Sequence, residues 1–271
     1  MRRVLSCLSV VLLLAGLSTA DAQRPGAEAP APESNDLSEG WRFRVGGAAG
    51  VAPTYEGSDG YEFGGFPDLE INWRDRVVLD GRNGLTLATP RFQGARLGGS
   101  VGYSFGRDED DDDALEGMGD IDGGVRGRLF AEYGLGPYSG SVEVARALDD
   151  SNGTTATLSL NARAAMFEGA VMLSGGPSVV WADRNYMESY FGVSSNQAAI
   201  ARAGYATFAP EAGFKSVGYS GQLLWRIHGG FGALLGVRYD RLLGDAADSP
   251  LVDGAGDPDQ FGGVLGLSYG F

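Results

Sequence analysis

The sequence predicts an all-β fold, a single antiparallel transmembrane β-barrel of about twelve strands, with ten as the nearest alternative. Three observations predict it. An export signal opens the chain, and no later stretch approaches the length and apolarity of a spanning helix. Large apolar residues then alternate with small or polar ones at a period of two, which gives each strand one greasy face. The last strand stops on an aromatic, with Leu265, Leu267, Tyr269 and Phe271 set against Gly266, Ser268 and Gly270. A frayed terminus in water gains little from such an ending, whereas in an outer-membrane barrel it closes the cylinder and its aromatics sit in the interfacial girdle. The ending, with Tyr269 and Phe271, resembles the terminal-Phe assembly signal read by the barrel-assembly machinery.

At the N-terminus, Arg2 and Arg3 precede an apolar run over residues 4–17, and Ala20-Asp21-Ala22 fits the small-x-small cleavage pattern. The run is shorter than the roughly 20 apolar residues a spanning helix needs. Residues 1–22 are thus expected to be a cleaved signal peptide. The only cysteine, Cys7, leaves with it, so the mature chain has no thiol for a disulfide or a metal. Residues 23–40 are rich in Pro, Ala, Glu and Ser without an aromatic, and read as a flexible periplasmic leader. Residues 41–271 form one domain, the barrel.

The strands follow in order. Trp41, Phe43 and Val45 alternate with Arg42, Arg44 and Gly46; Leu69, Ile71 and Trp73 alternate with Asp68, Glu70, Asn72 and Arg74. A weaker pair lies around residues 77–79 and 85–87. Leu97, Val101, Tyr103 and Phe105 mark the next strand, and Val125, Leu129, Ala131 and Tyr133 the one after. Further alternation runs through Ala156–Ala162, Leu223–Ile227 and Phe231–Tyr239. Pro177 falls inside a strand over residues 171–181, where a proline removes a ladder donor and predicts a bulge. Short turns are expected near Asp75, Gly94, Gly136, Phe167 and Gly229, and longer connections at residues 55–64, 108–123, 183–210 and 244–259. With twelve strands and a periplasmic start, every long connection falls outside and Phe271 ends inside, as the even-strand rule requires.

Composition narrows the chemistry. The 45 glycines argue against a helical domain, because glycine disfavours a helix interior by about 1 kcal/mol. A net charge of -14 makes nucleic acid an unsuitable partner; at the cell surface such charge would sit beside outer-membrane lipid and anionic lipopolysaccharide. The run of acids over residues 108–113 lacks the spacing of a calcium loop and reads as a solvated, self-repelling segment. His228, the only histidine, falls at a short periplasmic turn, the wrong rim for a serine-histidine site acting on the outer leaflet. No catalytic residue, cofactor or metal site is expected. Arg42, Arg44, Arg96, Arg126, Arg128, Arg163, Arg226 and Arg238, with Glu70, Glu132 and Glu143, are too polar for the lipid face. An Arg there at the midplane costs ~2–4 kcal/mol, so these residues line the lumen. They either fill it as a paired network or line a narrow aqueous pore.

Four stretches carry a family resemblance: Pro53-Thr54-Tyr55-Glu56-Gly57-Ser58-Asp59, Gly117-Met118-Gly119-Asp120-Ile121-Asp122, Tyr190-Phe191-Gly192-Val193-Ser194 with Gln197-Ala198, and residues 241–252, which include Gly244-Asp245-Ala246-Ala247-Asp248-Ser249-Pro250. With them the chain resembles the MipA/OmpV family of outer-membrane proteins over nearly all of its mature length. The resemblance implies a non-enzymatic barrel. One branch is associated with scaffolding that brings a murein transglycosylase together with a peptidoglycan synthase; the other is associated with adhesion, osmotic response and immunogenicity. A pore, receptor or adhesin at the cell surface is therefore the alternative to the scaffold. The family-motif loop residues are Tyr55, Gly57, Tyr190, Phe191, Gly192, Asp245, Asp248, Ser249 and Pro250. The connection over residues 183–210 is long for one without structure, and its aromatics imply either a lid folded onto the barrel mouth and the 244–252 segment, or an exposed adhesive tip.

Overall fold

The computed structural model describes residues 40–148 and 153–271; the expected signal over 1–22 and all but the last residue of the leader over 23–40 lie outside them. Twelve strands close into one barrel: β1 (Trp41–Pro53), β2 (Tyr61–Trp73), β3 (Val77–Asp80), β4 (Gly84–Ala88), β5 (Ala95–Arg107), β6 (Ile121–Leu135), β7 (Tyr138–Ala147), β8 (Thr154–Met166), β9 (Val171–Ala182), β10 (Gly213–His228), β11 (Phe231–Leu242) and β12 (Asp259–Gly270). Each strand pairs antiparallel with the next, and β1 pairs with β12 to shut the ring. Ten strands are thereby set aside. Turns near Asp75, Gly94, Gly136, Phe167 and Gly229 share one rim with both ends of the barrel, and the long connections share the other.

The seam is where the C-terminal aromatics act. Phe43 and Phe271 exchange two backbone hydrogen bonds of 3.0 Å, and their rings stack at 5.7 Å. Ring contacts then run on through Tyr269 to Phe231 in one direction and through Trp41 to Trp73 in the other. This belt joins β11, β12, β1 and β2 at the height where amphipathic rings are favoured at a membrane interface. A second belt near the loop rim includes Tyr103, Phe105, Tyr239 and Phe261.

Between the belts the barrel is inside out. Leu129 is 71% exposed on the outer surface and Leu265 60%, whereas lumen-facing Glu143 is 7% exposed. Water would reject so large an apolar exterior; lipid requires it.

Three differences from the sequence reading are informative. The expected connection over residues 55–64 is shorter, because β2 already begins at Tyr61 and pairs with β1 from Pro53 downward. Gly64, Gly65 and Pro67 hide this segment's alternation, although Phe63 faces outward at 70% exposure. The bulge expected at Pro177 is absent there; the β8–β9 ladder skips the positions around it and resumes in the same register. The bulge lies instead on β10, where Phe214 pairs with Trp181 and Ser216 with Val180, leaving Lys215 extra. Finally, the outer connections carry short helices: α1 (Arg184–Phe191), α2 (Ser195–Ile200) and α3 (Pro250–Asp253).

The wall is uneven. β3 has 4 residues and β4 has 5, whereas β2 and β5 flanking them have 13 each. Asp80 causes the early turn: its Oδ1 accepts from the backbone N–H groups of Arg82 at 2.8 Å and Asn83 at 2.7 Å. The hairpin pairs with β2 only over Glu70–Trp73 and with β5 only over Gly98–Val101.

The seam makes a direct prediction. Deleting Tyr269, Gly270 and Phe271 removes the Phe43 pairing and the centre of the lower belt. The truncated chain is expected to lose most of its folded, heat-modifiable form in the outer-membrane fraction; normal insertion would show that the seam is dispensable.

Candidate functional site

The long connections converge over one mouth of the barrel and pack into two apolar clusters. One joins Tyr55, Leu115, Met118, Val193, Tyr205 and Leu251; the other joins Ala182, Tyr186, Met187, Phe191, Leu242 and Val252. Among the described residues the largest fully buried side chains, Tyr55 and Phe191, are in this cap, not in the barrel. Local signals place its helices. Asp183 caps α1 by accepting from the Tyr186 N–H, Ser194 and Gln197 form a capping box on α2, and Ser249 caps α3 with Pro250 in the first turn.

The family-motif residues divide into those that meet and those that do not. Tyr55 is buried and its hydroxyl donates to the Leu251 carbonyl at 2.9 Å. Gly57 has φ 104°, and a Cβ there would meet the Val252 side chain at 2.4 Å, so only glycine fits. Phe191 is fully buried, and its carbonyl accepts from the Ser249 hydroxyl at 2.7 Å. Gly192 ends α1 by donating to the Glu188 carbonyl at 3.1 Å. Thus Tyr55, Gly57, Phe191, Gly192, Ser249 and Pro250 belong to one cap. Tyr190 lies just inside it, stacked on Tyr186 at 4.4 Å, with its carbonyl accepting from Arg107 at 3.3 Å. Asp245 ties the far end of the long loop by accepting from the Glu211 N–H at 2.7 Å, and Asp248 points to solvent. Tyr269 and Phe271 sit at the opposite rim.

The acidic run does more than repel. Asp112 accepts from the hydroxyls of Thr54 at 2.7 Å and Ser58 at 3.2 Å, tying the acidic loop to the β1–β2 connection. Glu109 accepts from the N–H groups of Gly117 at 3.1 Å and Gly119 at 3.0 Å. The loop is held to its neighbour by Tyr205, whose hydroxyl donates to the Ala114 carbonyl at 3.0 Å. These carboxylates organise backbone, which corrects the expectation of a merely solvated segment.

Beneath the cap lies a cavity of about 250 Å³ that continues into the lumen. Of the arginines expected to line the lumen, Arg44 pairs with Glu70 at 2.7 Å and Arg128 with Glu143 at 3.3 Å, and Arg238 pairs with Asp240. Arg91, not singled out from the sequence, pairs with Glu132 at 2.5 Å. Arg42, Arg96, Arg163 and Arg226 bond near the short turns, to Asp75, the Asp75 carbonyl, the Gly136 carbonyl and the Gly169 carbonyl. Arg126 donates to the Thr155 hydroxyl at 2.9 Å.

The sequence reading missed the contact that joins cap to barrel. Lys215, the only lysine in the chain, binds Glu56 from the first outer connection, and Tyr186 of α1 donates to the same carboxylate at 2.9 Å. Lys215 also sits 4.9 Å from the Tyr186 ring centre. Strict alternation would turn Lys215 toward lipid; the bulge turns it inward beside Ser216. Burial pushes the Glu56 carboxyl up, but the Lys215 charge and the hydrogen bonds from Lys215 and Tyr186 outweigh it and hold the group below its ordinary value. Burial and the neighbouring Glu56 charge push the Tyr186 hydroxyl well up, so it stays a donor.

An apolar outer surface between two aromatic belts, a polar lumen, short turns on one rim and long loops on the other define an outer-membrane β-barrel. The family described as MltA-interacting protein MipA matches residues 45–271, and the chain belongs to that family. It is a protein of the bacterial outer membrane. No curated protein sequence matches it. Among solved structures it is similar to the NanC porin (TM-score 0.39, 7% identity, covering 84% of this chain and 98% of that one). It is also similar to the CymD monoaromatic hydrocarbon channel (0.40, 11%, 87% and 89%) and to Salmonella typhi OmpF in complex with daunomycin (0.39, 10%, 85% and 97%).

Two predictions follow from the cap geometry. Removing a fully buried phenylalanine ring costs about 3–5 kcal/mol. Phe191→Ala is expected to make the 183–212 connection cleavable by chymotrypsin at Tyr190 in intact cells, where the unmodified loop resists; rapid cutting of the unmodified loop would show that it is not held closed.

Acid should also loosen the cap. A carboxyl whose folded value is depressed stabilises fully above its unfolded value of about 4.3 and ceases to do so as pH falls through the folded value. Amide protection of α1 is expected to stay level from pH 7 to pH 5 and to fall toward pH 3 as Glu56 gains its proton. Glu56→Gln leaves Lys215 unpaired, so its cap is already looser at pH 7 and its further fall toward pH 3 is smaller, the remainder coming from Asp183 at the start of α1. Full protection of the unmodified cap at pH 3 would count against the latch.

Proposed function

We propose that this protein is a non-enzymatic scaffold that brings a murein transglycosylase together with a peptidoglycan synthase through its periplasmic side. The observation that carries the reading is the occupied outer mouth. The chain's own loops cover that end, leaving the short-turn rim, where β1 begins, as the surface open to a protein partner. Arg74, Arg76 and Arg226 are exposed there, against Asp75 and Glu168, whereas the loop rim carries most of the acids. Membership of the MipA family supports the choice of a murein transglycosylase as partner. His228 ends β10 at the two-residue Gly229-Gly230 turn, on the rim away from the cap, and the reading gives it no catalytic part.

A narrow pore is the second reading, favoured by the surplus of cationic side chains around the lumen cavity. The barrel-assembly machinery and lipopolysaccharide belong to either reading as the agents of insertion and the surrounding surface.

Binding of the folded protein with its leader to the murein transglycosylase of the same bacterium tests the scaffold. Association is expected, and the Arg74→Glu, Arg76→Glu pair should weaken it about tenfold or more, since close charge pairs across interfaces couple by roughly 1.5–7 kcal/mol. A folded barrel with its leader that captures neither enzyme would reject the scaffold.

A further inference from the structure

The short β3–β4 hairpin leaves a gap in the barrel wall. Above it, residues 61–69 of β2 and 102–107 of β5 have strand partners on one side only, β1 and β6 respectively. Phe63 points outward at 70% exposure, and Tyr103 and Phe105 of the upper belt stand on the facing edge, so the gap opens at the level of that belt, on the outer-leaflet side of the membrane. Hydrocarbon does not tolerate unpaired backbone edges; they persist at membrane depth only against a cavity or another molecule. Here a cavity stands behind the β5 edge. Its lining takes in Arg82 and Asn83 from the hairpin turn and Gly102 and Tyr103 from the β5 edge, so it reaches the gap.

The cavity is cationic within a strongly acidic protein. Among the described residues, six cationic side chains and four carboxylates line it. Lys215, Arg128 and Arg238 are matched by Glu56, Glu143 and Asp240. Arg107 and Arg126 have neutral hydrogen-bond partners, the Tyr190 carbonyl and the Thr155 hydroxyl, and the buried Nε of each makes no hydrogen bond. Arg107 is 7% exposed. Parity alone would send it outward with Tyr103 and Phe105. Gly106, with φ 81°, breaks the alternation, and a Cβ there would lie 1.9 Å from the Ile121 carbonyl oxygen.

We propose that the gap is a lateral entrance for a single-chain anionic amphiphile, a fatty-acid-type carboxylate. Its head group is held by Arg107 and Arg126, and its hydrocarbon chain lies between β2 and β5. The planar guanidinium fork matches a carboxylate. A cavity of about 250 Å³ has room for a carboxylate head group. The edge is also defended against the rival occupant, a strand from a second copy: Glu62 and Pro67 lie on it, and both discourage strand addition. The site is independent of any murein partner, so its failure leaves the scaffold reading standing.

The test uses the mature protein in nonionic detergent and palmitate carrying a photoreactive diazirine near its chain end. Label is expected on residues 61–69 and 102–107, displaced by palmitate and not by methyl palmitate. The Arg107→Gln, Arg126→Gln pair is expected to lower labelling about tenfold or more, the scale of a lost hydrogen bond to a charged group. Label spread evenly around the barrel, equal displacement by the neutral ester, or a dimer joined across the gap would each overturn the proposal. Should the double variant fail to reach its heat-modifiable form, the comparison of acid with ester on the unmodified protein decides alone.

Discussion

Everything in this barrel depends on one requirement: within lipid, each backbone N–H and C=O must find a partner in the protein. A sheet meets it only by closing on itself, and closure here brings the two ends of the barrel domain together. The β1–β12 ladder begins at Phe43 and Phe271, so the final residue is part of the wall and not a loose tail. Residues near a terminus usually fray; these are held by reciprocal hydrogen bonds and by a belt of rings crossing four strands. The same requirement makes the β2–β5 gap the place where the wall departs from its own rule, since the ring closes there only through the low β3–β4 hairpin.

Closure in lipid also relocates the hydrophobic core. The strands turn their large residues outward, so the lumen holds ion pairs and glycine instead of packed hydrocarbon. Apolar burial in the sense of a water-soluble domain is concentrated in the cap, where Tyr55, Leu115, Phe191 and Leu251 are all but inaccessible; inside the wall it is limited to small patches such as Ala52 and Val264 with Ala48 and Phe66. The cap's loops are irregular and hold one another by side chains that bond to main chain: Tyr55 to Leu251, Ser249 to Phe191, Tyr205 to Ala114. Such bonds satisfy carbonyls that no ladder reaches. The charge pair of Glu56 with Lys215, largely buried there, costs desolvation that neither group would bear alone, and this couples the cap to β10 through their joint presence.

Strand number, direction and inward face were legible because period two repeats wherever lipid meets one side and the lumen the other. Trp41 as the start of β1 and the turns near Asp75, Gly136 and Gly229 follow from that pattern and from glycine. The upper half of β2 was not legible, since glycine and proline erase alternation where no third strand must be matched. The cap helices carried readable signals: Asp183 before α1, Ser194 with Gln197, and Ser249 before Pro250. Each helix is at most 8 residues long, too short for a helical period to stand out in a segment expected to be loop. The site itself was the least legible part. Glu56 and Lys215 are 159 positions apart, and no local pattern relates them.

That illegibility has a physical source in the barrel. A strand that alternates without fault can present to the lumen only what parity assigns, and parity here assigns small and neutral residues to most positions near the mouth. Two faults change the assignment. The bulge on β10 turns Lys215 inward beside Ser216, and the left-handed Gly106 turns Arg107 inward after Phe105. Each fault would be costly at mid-membrane, where an unpaired residue faces hydrocarbon; both lie at the end of a strand by the loop rim, where the cap supplies partners. Lys215 meets Glu56, and Arg107 meets the Tyr190 carbonyl. The cap and the faults therefore support each other: without the loops the two cations would lose their partners, and without the cations Glu56 and the Tyr190 carbonyl would lose the groups that dock the loops onto the wall.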